Sequence, residues 1–168
     1  MSLSRFFWAC AILLVLGAFG TIGWVVLNDN VGSVSRIIDE TPQPRLPTGT
    51  LMVNSQTVTV ELARSPEEQR QGLSFRPPLA ADEGMLFVYP VAQPQTFWMF
   101  GMTFPLDIVF LNDHRVVSVA SNVPPPVGLA PPVTVASPAD ADMVLELLAG
   151  TAERAGIVEG TFVTVRIP

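Results

Sequence analysis

Residues 96–112 read TFWMFGMTFPLDIVFLN, and the fold turns on how this stretch is understood. Two apolar runs, 97–102 and 108–111, are joined by Thr103-Phe104-Pro105-Leu106-Asp107, and Asp107 is the only ionisable group in the segment. Short apolar runs bounded by turn residues predict strands over 96–102 and 106–111. A carboxylate in such company needs partners, because burying an unpaired charge costs several kcal/mol or forces protonation. Asp107 is therefore either a structural fastener or the mark of a site.

Towards the C-terminus, Asn112-Asp113-His114-Arg115 predicts a hairpin turn into a strand over 116–119. Residues 122–138 are too rich in proline for a central strand and read as a long ordered loop of polyproline character. Ser137-Pro138-Ala139-Asp140 has the form of a capping box and predicts a helix with Met143, Val144, Leu147 and Leu148 on one face, ending at Gly150. A last strand is expected over 162–167. Towards the N-terminus, 85–89 predicts a buried strand closed by Pro90 and preceded by the turn Asp82-Glu83-Gly84. Ser65-Pro66-Glu67-Glu68 is a capping box opening a helix over 66–71 that stops at Gly72. Residues 57–63 alternate as a half-buried strand does. Short strands, two short helices and no visible βαβ rhythm predict an α+β domain, small and mainly antiparallel, resembling a β-barrel.

This domain is expected to occupy 51–168, behind an extended tether over 28–50. The composition is 49% hydrophobic and 14% charged, against about 25% charged in ordinary soluble domains. Much of the excess lies in 6–27, FFWACAILLVLGAFGTIGWVVL, which carries no charge and exceeds the ~20 residues of a membrane-crossing helix. Trp8 and Trp24 stand near its ends as interfacial anchors. A cleaved signal peptide would have a shorter apolar core, of about 7–15 residues, so a retained anchor is expected. Arg5 and the α-amino group keep residues 1–5 in the cytoplasm, with the domain periplasmic or otherwise outside. The single cysteine, Cys10, lies in that span and excludes an intrachain disulfide. A formal net charge of −6 offers nucleic acid no cluster of cations.

Ser65-Pro66-Glu67-Glu68 with Gln71-Gly72-Leu73 and Phe75-Arg76, then Gly84-Met85-Leu86-Phe87-Val88, Phe97-Trp98-Met99, Pro105-Leu106-Asp107-Ile108 and Leu145-Glu146-Leu147 with Ala149-Gly150, resemble the DUF192 family of domains of unknown function. The resemblance covers roughly 57–167 and implies a compact β-rich, barrel-like domain. It brings no activity, cofactor or catalytic residue with it. The family usually follows Phe-Trp-Met with Lys-Asn-Thr, where this chain has Phe100-Gly101-Met102; a polar site lined by that triplet would be altered here. Gly160-Thr161 likewise stands where the family has Gly-Asp.

The chemistry-bearing residues are few. His114, the sole histidine, lies in an expected turn with no nucleophile motif beside it, so no catalytic residue is assigned. One histidine and one cysteine within the span leave no donor set for a metal, and no phosphate-binding glycine loop or other cofactor motif occurs. Arg76, Asp82 and Asp107 could line a polar site for an envelope-polymer hydrolase or ligand-binding domain. Against that stands a structural role in which Asp107 takes backbone N–H groups or Arg76. Strand alternation sets Trp98, Phe100 and Met102 on one face and Phe97, Met99 and Gly101 on the other. A sheet this small is not expected to bury both faces, so Trp98, Phe100, Met102 and Phe104, with the rigid Pro124, Pro125 and Pro126, are expected to meet a partner. The expected function is a non-catalytic, membrane-anchored interaction module, an accessory or assembly subunit of an integral membrane protein complex. Its contact with the lipid bilayer is through 6–27.

Overall fold

The computed structural model describes residues 42–167, so the expected membrane span lies outside the described part. Among the described residues no helix is long and apolar enough to cross a membrane. Strands β1 (Thr48–Val53) and β2 (Gln56–Ala63) pair antiparallel. Helix α1 (Pro66–Gln71) follows with the capping box its sequence predicts: the Ser65 hydroxyl accepts from Glu68 N–H, and the Glu68 carboxylate accepts from Ser65 N–H. The helix ends at Gly72, whose φ of 51° suits a residue without Cβ. Strand β3 (Glu83–Gln93) then returns beside β2 in parallel, Thr59 opposite Glu83 and Ala63 opposite Phe87. Thus β2, α1 and β3 form one βαβ crossover, contrary to expectation.

Strand β4 (Thr96–Trp98) leaves the sheet, and β5 (Leu106–Asn112) and β6 (Arg115–Val123) make the expected hairpin. Its two turn residues, Asp113 and His114, have φ of 47° and 63°, as a tight turn matching strand twist requires. Strand β7 (Thr134–Ala136) pairs with β4, β8 (Ala141–Leu148) runs between β3 and β5, and helix α2 (Thr151–Arg154) and β9 (Thr164–Arg166) finish the domain. The main sheet has seven strands in the order β6-β5-β8-β3-β2-β1-β9, and β4-β7 is a separate ribbon. Its edges approach through a bridge between Arg115 and Phe162, but β9 pairs with β1 and the sheet is not a closed barrel.

Several further expectations need correction, among them the strand expected to close at Pro90, since β3 runs on to Gln93. Residues 139–149 are not a helix but include β8 at the centre of the sheet. The hydroxyl of Ser137 accepts from Gln95 N–H instead of capping a helix, and Ser137 N–H donates to the Gln95 carbonyl. The second helix is α2, which falls where only a turn was expected. Residues 96–102 are not one strand, because β4 ends at Trp98 and the chain turns at Gly101, φ 69°. A Cβ there would sit 2.9 Å from the Phe75 ring. Finally, residues 43–50 of the expected tether belong to the domain: Gln43 Nε2 donates to the Gly72 carbonyl at 2.7 Å, and β1 begins at Thr48.

Both faces of the sheet are buried. On β8, Met143, Leu145 and Leu147 join Leu51, Val60, Leu86 and Val109 in one core, over which Ala152 of α2 packs. Val144 and Leu148 join Phe87, Phe97, Met99, Met102, Phe104 and Phe110 in the other. The ribbon, Leu73 and Leu79 supply the second cover, which is how a small sheet hides both sides.

Candidate functional site

Asp107 faces the α2 side of the sheet, 1% exposed, and accepts from Asn122 N–H and Ala152 N–H, each at 2.9 Å. Both oxygens are thus used in tying β5 to the end of β6 and the start of α2. Arg76, also buried, donates to Glu61 at 2.7 Å and to the Pro44 carbonyl at 2.9 Å. Asp82 is exposed and lines an open cleft of about 530 Å³ with Thr57, Thr151 and Arg154, a lining that contains neither Arg76 nor Asp107. The three candidates for a polar site therefore have separate surroundings.

Glu61 is a carboxylate the sequence reading passed over. Burial pushes its pKa up, yet hydrogen bonds from Arg76, the Leu46 N–H and Arg45 outweigh that and hold it below the usual range. It anchors 45–46 and the turn after α1 onto β2. His114 stands by the Phe162 ring at 6.0 Å, and its Nδ1 is buried without a partner among the described residues. No three His, Cys, Asp or Glu side chains among the described residues could hold a metal ion.

The apolar candidates divide. Trp98 is 50% exposed on the ribbon, and Phe100 leans against it at 5.2 Å while also meeting Phe75 edge-on at 5.7 Å. Met102 and Phe104, by contrast, are buried in the core on that side, because the turn at Gly101 breaks the alternation. Val133, just before β7, is exposed, as are Val127 and Leu129 in the loop leading to it. Pro124 is exposed there and Pro125 and Pro126 are half-buried.

Beneath this ledge lies the other residue that sequence reasoning missed. Glu146 of β8, 5% exposed, lines a narrow crevice with Gly72, Leu73, Phe97, Trp98 and Met102. No hydrogen bond or ion pair reaches its carboxyl among the described residues. Burial pushes it up to about 8, so the group is largely protonated at neutral pH. Tyr89 is raised to about 12 by its own burial and then by the nearby Glu146 charge. A signal was present, since Glu146 is the one carboxylate inside the run 143–148. It was hidden by taking that run for an amphipathic helix.

The DUF192 family model, described as uncharacterized ACR, COG1430, matches residues 49–165. The chain belongs to the DUF192 family. The crystal structure of a protein from Sinorhizobium meliloti 1021, described as a putative transcription regulator, is similar at 31% identity, with a TM-score of 0.64 over 73% of this chain and 97% of that one. A protein of unknown function from Novosphingobium aromaticivorans DSM 12444 is similar at 30% identity, with a TM-score of 0.62 over 81% of this chain and 99% of that one. No curated protein matches. In this DUF192 domain Gly101 has left-handed backbone, φ 69°, a conformation that glycine adopts at little cost. On either side of it, Phe100 gives the ledge an aromatic ring and Met102 gives the core a thioether.

Proposed function

We propose that this DUF192 domain is a non-catalytic docking module, held at the outer face of a cytoplasmic membrane by residues 6–27 and serving as an accessory or assembly subunit of an integral membrane protein complex. The observation that carries the reading is Trp98, half exposed on a ribbon outside the main sheet and stacked beside Phe100. Large aromatic rings standing clear of a well-filled core are the residues that anchor protein interfaces. Val133, whose carbonyl accepts from Met99 N–H, continues this surface, and the loop leading to it exposes Val127 and Leu129. The ionic residues favour this reading over a hydrolase, because Arg76 is bonded to Glu61 and the Pro44 carbonyl and Asp107 accepts two backbone N–H groups, all within the scaffold.

The test is purification of the full chain from its membrane in mild detergent. Replacing Trp98 and Phe100 together by alanine should remove the co-purifying partner while the circular dichroism spectrum stays that of the native domain. Undiminished recovery of the partner with the doubly substituted protein would discard the proposal.

A further inference from the structure

The docking ledge has a floor with a different chemistry. The crevice between α1 and the ribbon has a volume of about 20 Å³, and Glu146 is the carboxylate in its lining. A space of ~10–15 Å³ suffices for one water-sized group. Nothing among the described residues bonds to that carboxyl. Arg70 also lines the crevice, but it is ion-paired with Glu67 at the surface, and Tyr89 is the other titratable group near by.

A buried carboxyl that no described residue is seen to bond, bordering a slot with aromatic rings, is costly to ionise unless something completes it. We propose that the crevice is a binding site for one primary ammonium group, the tip of a lysine side chain on the docked partner, with Glu146 as its counter-ion. This rests on the docking reading for the source of the lysine. The small volume suits a compact ammonium head better than a planar guanidinium or a quaternary ammonium. A lysine can place its ammonium there while its methylenes lie along Trp98. The indole face and the carboxylate both favour a positive charge, and the net charge of −6 draws a basic partner. On binding, Glu146 gives its proton to solvent and the ammonium keeps its own, so one proton is released for each lysine bound.

The experiment uses the full chain in detergent micelles, labelled with carbon-13 at the glutamate carboxyls, and Nα-acetyl-lysine methylamide as the probe. Without the amine, the Glu146 resonance should titrate near pH 8, about where burial places it. At saturating amine the midpoint should fall by about one to three units. Glu146→Gln should abolish saturable amine binding while leaving the fold intact, the amide being a near-isostere of the protonated acid. Trp98→Ala should raise the half-saturating amine concentration by about threefold.

Three results would overturn the site: a Glu146 resonance unmoved by amine, equal binding of n-butanol, or a Glu146 that already titrates as an ordinary carboxylate because Arg70 has swung inward. The docking reading fails separately, in the partner recovery of the Trp98 and Phe100 variant. An intact amine response with unchanged partner recovery refutes the lysine of a partner as the source.

Discussion

Glu61, Asp107 and Glu146 are all buried, and each meets burial differently. Asp107 is answered by two backbone N–H groups, Glu61 by two guanidinium groups and a backbone N–H, and Glu146 by no described donor. The two arginines on Glu61 are not equivalent: the Arg76 side chain is 6% exposed and that of Arg45 is 64% exposed. Removing the buried partner strands a buried charge, whereas the exposed one is replaced by water. Arg76→Met is therefore expected to destabilise the domain by about 3–5 kcal/mol, and Arg45→Ala by less than about 1 kcal/mol. Urea denaturation of the two variants beside wild type checks the ratio, and equal losses would show that Glu61 is effectively solvated.

Among the elements, α1 was fully legible because its information is local. A serine, a proline and a glutamate in four residues define both the start of the helix and its hydrogen bonds. Ser65→Ala should cost about 1 kcal/mol, read as a lowered thermal midpoint with an unchanged native spectrum. The β5-β6 hairpin was legible for the same reason, its turn residues lying side by side in sequence. What failed was non-local. Ser137-Pro138 looks like a cap until Gln95, distant in sequence, takes up the serine hydroxyl and backbone. Residues 143–148 lack period-2 alternation because both faces of β8 are covered, and a continuous apolar run fits a buried strand and a helix alike. The same two-sided burial hid the crevice, since Glu146 becomes conspicuous only once β8 is a strand and its neighbour Leu145 points to the opposite core. Trp98 needed only the alternation through β4, whereas Met102 was misplaced by one turn at Gly101.

At the scale of the whole molecule, two buried glutamates set opposing pH dependences on one cooperative core. Glu61 is held below its ordinary value in the folded state, so the stability it adds is present at neutral pH and disappears as pH falls through that lowered value. Glu146 is displaced upward, from 4.5 to about 8, so the folded state holds a proton that the unfolded chain has lost. Its contribution is complete below pH 4.5 and is lost as pH rises towards 8, a change on the order of 4 kcal/mol across the interval. The domain should be most stable in mild acid and weaken steadily into the alkaline range, although its carboxylates are ordinary in number. Glu146→Gln removes the titrating group while keeping the shape, so it should match wild type near pH 4.5 and exceed it by several kcal/mol near pH 8.5. Urea denaturation of the full chain at a series of pH values separates the cases. If the substituted protein weakens with pH as steeply as wild type, the alkaline loss arises elsewhere and Glu146 is not held protonated by burial. If the curve flattens, burial does hold that carboxyl neutral, and the proposed docking would act on the same residue that sets the alkaline stability.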